Sequence, residues 1–111
     1  MDTVFVVNSD SMGSGDVSLG TKLLGNLLKT LVGLETKPGA IVFYNGGVRL
    51  LAKDSASLEA LQALHGAGVE LLACVTCLEF FHLIDNLGVG RVSNMREIAT
   101  QLMRASKVVT V

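Results

Sequence analysis

Residues 69–79, VELLACVTCLE, decide the fold, because within them an apolar run passes directly into a helical pattern. The run 69–73 has the short, unbroken apolar character of a buried strand. Thr76 is followed three residues later by glutamate, the spacing of a capping box, which predicts Thr76 as the N-cap and Cys77 as the first helical residue. Cys74 then lies at the end of the strand. Both cysteines of the chain are therefore expected where a strand turns into a helix.

The same alternation of strand and helix patterns extends over the rest of the chain. Predicted strands cover residues 3–7, 40–44, 69–73, 90–92 and 107–111. Predicted helices cover residues 17–32, a segment capped at Asp54-Ser55 that ends near Gly66, residues 77–87, and a segment capped by Asn94. Asp16, directly before the first of these helices, also suits an N-cap. Strands that alternate with helices form parallel sheets with helices on both faces. The sequence thus predicts a single domain over residues 1–111, a three-layer α/β/α fold with a mostly parallel sheet of about five strands.

Composition restricts the class of protein. The 111 residues are 50% hydrophobic and 17% charged, and the mean hydropathy is +0.53. This is apolar for a small domain, yet no stretch approaches the roughly 18–20 apolar residues that span a bilayer. We therefore expect no membrane insertion and predict a homo-oligomer that buries apolar surface.

Charge and cysteine content narrow the setting further. The net charge of −1 and the scattered basic residues argue against a nucleic-acid partner. The first residues lack the pattern of a signal peptide, which predicts a cytoplasmic protein. In the cytoplasm, two cysteines are more often catalytic, redox-active or metal-binding than joined in a structural disulfide.

Polar and glycine-rich segments follow several of the predicted strands. In open parallel sheets, ligands bind beyond the carboxyl ends of the strands. The cysteines share this edge with amides, a hydroxyl and a glycine, so we predict catalytic roles for Cys74 and Cys77 and binding roles for their expected neighbours. These predicted binding residues are Asn8, Asn45, Gly46, Thr76 and Asn94.

The cysteine pair has several other interpretations. A structural zinc site needs four ligands, and His82 lies well round the helix from Cys77, so no metal and no cofactor are predicted. A thioredoxin-like dithiol competes, because C-x-x-C beside a βαβ pattern is its signal. Here the pair follows the third strand, and the only proline, Pro38, opens the second strand. A dithiol–disulfide redox module is therefore the second hypothesis for the pair, behind catalytic sulfur chemistry at the thiols. A non-catalytic oligomeric scaffold is the third.

Four segments resemble the DsrE-like domain of YedF proteins, which are described as sulfurtransferase-like proteins of selenium metabolism. The segments are 8–16, NSDSMGSGD; 43–48, FYNGGV; 74–81, CVTCLEFF; and 93–95, SNM. The resemblance covers essentially the whole chain in order. It implies a flavodoxin-like α/β/α fold and an oligomer in which a cysteine persulfide carries sulfur between partner proteins. YedF proteins usually carry an N-terminal TusA-like domain that this sequence lacks, so a TusA-like protein is an expected donor or acceptor.

The resulting hypothesis is an intracellular carrier or sulfurtransferase for sulfur, or for selenium. The resemblance matches the carrier thiol best to Cys74, with Cys77 either resolving the persulfide or accepting the sulfur itself. Backbone N–H groups of residues 76–78, with Asn8 and Asn45 nearby, are expected to stabilise the sulfur anion.

Overall fold

The structure is a computed structural model that describes residues 3–111. Within this range, five strands alternate with four α-helices. The strands are β1 (Thr3–Val7), β2 (Ala40–Phe43), β3 (Glu70–Cys74), β4 (Arg91–Ser93) and β5 (Lys107–Thr110). The α-helices are α1 (Val17–Gly33), α2 (Leu58–Gly66), α3 (Val75–Phe80) and α4 (Met95–Arg104). Two 3₁₀ helices cover Asn45–Leu51 and Ile84–Asn86.

The five strands form one parallel sheet in the order β4-β3-β2-β1-β5. This confirms the predicted parallel α/β fold and supplies the strand order. Val7 pairs with Phe43, and Phe43 pairs with Ala73, so the carboxyl ends of the three central strands lie level. Cys74 extends β3 by one more pair, opposite Ser93 of β4.

Helices cover both faces of the sheet, as predicted. Because side chains alternate along a strand, each strand contributes to two core layers. The larger layer packs under α1, α2 and α3, and the smaller layer packs under α4. Ile98 is the only fully buried residue of α4, and it closes the smaller layer over Val42 and Leu72. Truncating such a side chain to alanine typically costs about 2–5 kcal/mol.

Two of the predicted helix caps are confirmed. The Asp16 carboxylate accepts a hydrogen bond from the backbone N–H of Leu19 at 2.8 Å, at the start of α1. The Asn94 side chain accepts one from the N–H of Glu97, also at 2.8 Å, at the start of α4. Each side chain satisfies a backbone donor that the helix leaves unpaired.

The predicted cap of α2 at Asp54-Ser55 is wrong, because the N-cap is Ser57. The Ser55 hydroxyl accepts a hydrogen bond from the N–H of Ser57 at 3.1 Å, and the N–H of Leu58 bonds to the Ser55 carbonyl. These two bonds form a turn that occupies Ser55 and delays the start of the helix.

The predicted start of α3 is also wrong, because Cys74 is the N-cap and Val75 is the first helical residue. Cys77 is therefore the third helical residue, and Thr76 is the second. The capping-box pattern failed because the strand extends one residue further than expected, to the pair between Cys74 and Ser93. The chain then enters the helix without an intervening loop.

The helix α3 ends at Phe80, seven residues before the predicted end. His82 takes a left-handed conformation with φ 56°. Its N–H bonds to the Glu79 carbonyl at 3.1 Å, and the N–H of Leu83 bonds to the Leu78 carbonyl at 2.8 Å. This is the hydrogen-bond pattern of a Schellman motif. Histidine occupies the position that usually holds glycine, so no local stop signal marks this helix end, and His82 lies outside the helix in which its position in 77–87 predicts it.

The segment after β2 is a 3₁₀ helix that begins at Asn45. Gly47 lets this helix pack against the end of β1, since a Cβ atom at Gly47 would lie only 2.1 Å from the Val7 carbonyl oxygen. The backbone N–H of Tyr44 also bonds to that oxygen at 3.2 Å. This packing fixes the position of Asn45 beside α3.

Candidate functional site

Cys74 is a buried free thiol at the carboxyl end of β3. Only 3% of its surface is exposed, and it belongs to the smaller core layer, under α4. It precedes α3 directly, so the next residues of the site follow within one helical turn.

Cys77 is a half-buried free thiol on the first turn of α3. It packs at the margin of both core layers. Its sulfur accepts a hydrogen bond from the backbone N–H of Asn45, with a distance of 3.1 Å from nitrogen to sulfur. The more accessible cysteine is thus the one with a defined backbone donor.

Asn45 provides this donor through an unusual backbone conformation. Its φ is 49°, in the left-handed region that asparagine enters more readily than most residues. The residue opens the 3₁₀ helix after β2, and the turn directs its N–H toward α3. Asparagine therefore suits this position through its backbone conformation.

A surface cavity of about 320 Å³ opens over Cys77. Its walls are Asn45, Thr76, Cys77, Phe80 and Phe81. The two phenylalanine rings meet edge to face, with centroids 5.1 Å apart and an angle of 88°. The cavity thus has one sulfur, a backbone donor and two aromatic walls, an arrangement suited to a reactive sulfur partly screened from water.

Arg49 supports one wall of this cavity from outside. Its guanidinium carbon lies 4.2 Å from the centroid of the Phe81 ring, the geometry of a cation–π contact. The same guanidinium pairs with Asp10 at 3.6 Å. The 3₁₀ helix is thereby linked to the loop after β1 and to the end of α3.

Burial raises the pKa of the Cys77 thiol above its ordinary value. The Asn45 N–H opposes this rise, and the neighbouring Cys74 thiol adds to it. Since α3 has only six residues, its dipole supplies little further stabilisation of a thiolate. The resting thiol is therefore mainly protonated at neutral pH.

A polar network lies next to Cys74 and was missed in the sequence. Ser93 pairs with Cys74 in the sheet, so their side chains project from the same face. The Ser93 hydroxyl, in a residue that is 4% exposed, donates to Glu97 at 2.5 Å. Arg91 donates to both oxygens of Glu97, at 2.9 and 2.6 Å. These contacts lower the pKa of Glu97 to about 2, the Arg91 hydrogen bond first and the Ser93 hydrogen bond next.

Glu97 conceals this network in the sequence. It lies three residues after the Asn94 cap, where its backbone N–H bonds to the Asn94 side chain. A glutamate three residues after an N-cap usually forms a capping box. This local role explains the presence of Glu97 and gives no indication of its contacts with β4. The available indication of the network was the spacing of Arg91 and Ser93, which places both side chains on one face of a strand.

The structure brings together four of the seven predicted site residues: Cys74, Cys77, Asn45 and Thr76. In the described residues 3–111, neither Cys74 nor the other three predicted residues form part of the cavity wall. Asn8 lies in the loop after β1, and Gly46 lies against residues 9 and 10. The Asn94 side chain is engaged as the cap of α4.

Two further features concern metals and membranes. In the described part of the chain, no group of three or more histidine, cysteine, aspartate or glutamate side chains is arranged to hold a metal ion. No helix in residues 3–111 is both long enough and apolar enough to cross a bilayer.

The fold and the thiol pair define a parallel α/β protein with two cysteines at the carboxyl edge of its sheet. The profile of the DsrE/DsrF-like family matches residues 1–111, and the chain belongs to this family. No curated protein sequence matches the chain.

Solved structures share the fold over nearly the whole chain. The YchN protein of E. coli has a TM-score of 0.69 and 18% identity, and the match covers 99% of this chain and 98% of YchN. Protein MTH1491 of Methanobacterium thermoautotrophicum, titled as of unknown function, has a TM-score of 0.71 and 24% identity, with 99% and 98% covered. Protein BT1422 of Bacteroides thetaiotaomicron, also titled as of unknown function, has a TM-score of 0.63 and 18% identity, with 99% and 95% covered.

Proposed function

We propose that this chain is a sulfur carrier that accepts a sulfane sulfur on Cys77 as a persulfide and passes it to a second protein. The observation that carries the proposal is the combination found only at Cys77, a thiol that opens into a cavity and accepts a backbone hydrogen bond. Membership of the DsrE/DsrF-like family, which is generally related to sulfur relay, supports the same chemistry. The resemblance implies Cys74 as the carrier thiol. Because Cys74 is buried, we propose Cys77 instead.

The first step is a thiol exchange at sulfur. The Cys77 thiolate attacks the outer sulfur of a donor persulfide, a bond forms between the two sulfurs, and the donor thiolate leaves. A persulfide is more acidic than the thiol from which it forms, so the loaded site carries an anion. The Asn45 N–H lies on the Cys77 sulfur, and Phe80 and Phe81 limit the approach of water to it.

Selenium is a second cargo that the same site can carry. The resemblance to YedF proteins implies it, and selenium forms the corresponding perselenide bond on a cysteine. The mass of the loaded protein distinguishes the two elements.

The proposed partner is a sulfur donor or acceptor protein such as a TusA-like protein. Phe80, on the cavity wall, exposes 76% of its surface beside the thiol. Exposed aromatic side chains are frequent anchors in protein interfaces. The reducing cytoplasm is the proposed compartment, because it keeps the two cysteines available as thiols.

Intact mass spectrometry tests the carrier function. Reduced protein is incubated without oxygen with a low-molecular-mass persulfide, and Cys74→Ser and Cys77→Ser variants are treated in parallel. We expect Cys74→Ser to gain the mass of one sulfur atom and Cys77→Ser to gain none. Sulfur on Cys77→Ser alone would move the carrier to Cys74, and no gain by any form would refute the carrier function.

We also propose that the chain forms a homo-oligomer. Leu19 and Leu23 lie one turn apart on α1, Leu34 directly follows the helix, and all three side chains are exposed. Sedimentation of a Leu23→Glu variant tests the proposal, with Met103→Glu on the exposed surface of α4 as the control. Dissociation of Leu23→Glu alone is expected, and a native protein that sediments as a monomer would contradict it.

A further inference from the structure

Cys74 is left without a role when Cys77 carries the sulfur. It is a free thiol and belongs to the core layer that Cys77 also borders. A buried cysteine can simply fill space. Here, however, a second thiol follows one helical turn later, so its chemistry toward Cys77 has to be considered.

The two thiols are neighbours at the start of α3. Cys74 is the N-cap of α3 and Cys77 is its third residue, a spacing at which Cβ atoms lie roughly 5–6 Å apart. A disulfide requires Cβ atoms roughly 3.5–4.5 Å apart, so a small movement of the first turn joins them. The effect of the Cys74 thiol on the pKa of Cys77 also shows that the two thiols interact.

The position of Cys74 determines which sulfur atom of a Cys77 persulfide its thiol can attack. The outer sulfur of a Cys77 persulfide extends into the cavity, whose wall includes Cys77 and not Cys74. Cys74 lies on the opposite, buried side, in the core layer under α4. The buried thiol therefore lies nearer to the inner sulfur than to the outer sulfur in the cavity.

We infer that Cys74 is a resolving cysteine that converts the Cys77 persulfide into a disulfide and releases sulfide. The Cys74 sulfur attacks the inner sulfur, a bond forms between Cys74 and Cys77, and the bond to the outer sulfur breaks. The two cysteine sulfurs are oxidised to the disulfide, while the outer sulfur is reduced and leaves as hydrosulfide. The proton that Cys74 loses passes to this leaving group. The inference rests on the proposed carrier function.

This step gives the loaded site two competing outcomes. An acceptor protein that docks over the cavity takes the outer sulfur and leaves Cys77 as a thiol. Without an acceptor, the chain discharges the sulfur as sulfide and is left as a disulfide. A low-molecular-mass thiol then restores the reduced form by exchange.

The test follows sulfide and protein mass in the same anaerobic reaction. Reduced protein, freed of other thiols, is mixed with a low-molecular-mass persulfide, and donor without protein gives the background release of sulfide. We expect the native chain to release sulfide above background and to lose the mass of two hydrogen atoms. Dithiothreitol should then restore the starting mass.

Variants separate this step from sulfur loading. Cys74→Ala keeps a small apolar side chain in the core, and circular dichroism checks its fold alongside Cys74→Ser. Both variants should retain the mass of one sulfur atom and release sulfide only at the background level. Sulfide release by these variants at the native rate would overturn the resolving role. So would a native chain that keeps its persulfide and releases none. If neither variant nor the native chain takes up sulfur or forms a disulfide, the carrier function itself fails.

Discussion

The backbone N–H of Asn45 donates a hydrogen bond to the sulfur of Cys77 at 3.1 Å, although 32 residues separate the two in the chain. Asn45 follows β2, and Cys77 follows β3, the adjacent parallel strand. The contact therefore depends on the level carboxyl ends of two neighbouring strands. Cys77 is therefore the cysteine whose reactivity depends most directly on the fold.

The left-handed conformation of Asn45 should control the pKa of Cys77. Asn45→Val disfavours φ 49° and moves the N–H away, whereas Asn45→Gly tolerates this conformation. In a Cys74→Ser background, the Val variant should raise the pKa of Cys77, because the thiolate loses the Asn45 donor that lowers it. A hydrogen bond to a charged group contributes about 1.5 kcal/mol. The rate of alkylation by iodoacetamide as a function of pH measures this change, and identical profiles for the two variants would contradict it.

Phe80 should affect transfer to a protein acceptor more than loading from a small donor. Truncating an interface anchor costs more than about 1 kcal/mol, so Phe80→Ala should slow transfer to a TusA-like protein by at least about fivefold. Met103→Ala is the matched control, since Met103 is 86% exposed and lies on α4. The rate of transfer is measured by stopping the reaction at intervals and recording the mass of the acceptor protein. Equal rates for the two variants would exclude Phe80 from the docking surface.

Glu97 should stabilise the fold in a pH-dependent manner. Its pKa falls from the ordinary value of 4.5 to about 2, mainly through Arg91. Since folding favours the ionised form, this stabilisation is complete above pH about 4.5 and is lost as the pH falls to about 2. The native protein should have a higher Tm than Glu97→Gln at neutral pH, and the difference should vanish in acid. Arg91→Gln should remove the same acid-dependent component, and a difference that is constant with pH would refute the assignment.

Gly47 should be essential for the packing of the 3₁₀ helix. Gly47→Ala places a methyl group 2.1 Å from the Val7 carbonyl oxygen, and relief of such overpacking typically costs about 1–3 kcal/mol. At Gly46, the nearest atom would lie 3.7 Å from an added Cβ, an ordinary contact. Urea unfolding should therefore show a large loss of stability for Gly47→Ala and a small change for Gly46→Ala. The opposite order, or equal losses, would contradict the close packing of Gly47 against the end of β1.

Glycine should be better than histidine at the end of α3. The left-handed conformation of His82 costs an L-residue about 1–2 kcal/mol, and glycine avoids most of this cost. After the greater chain entropy of glycine is subtracted, His82→Gly should raise the free energy of unfolding by about 0.5–1 kcal/mol. His65→Gly, inside α2, should lower it by a similar amount. Destabilisation of both variants would indicate that the His82 side chain makes a contact of its own.

The sequence by itself determined the elements and the class of fold. Five apolar runs and four helical patterns are local features, and periodicity in neighbouring residues was enough to place each strand and most helices. The caps at Asp16 and Asn94 were equally local. Helix boundaries failed where a local signal was absent, as at His82, or where it conflicted with strand pairing, as at Thr76.

Only the tertiary structure decided how the two thiols differ. Cys74 and Cys77 are three residues apart, and their spacing gives no information about depth. Packing of α4 over the sheet buries Cys74, while the 3₁₀ helix after β2 brings a backbone donor to Cys77. The pairing of Cys74 with Ser93 likewise depends on a strand that is distant in sequence. Burial and hydrogen bonding between distant segments arise only when parallel strands align their ends, and for that reason the local pattern could locate the cysteine pair but could not assign different roles to its members.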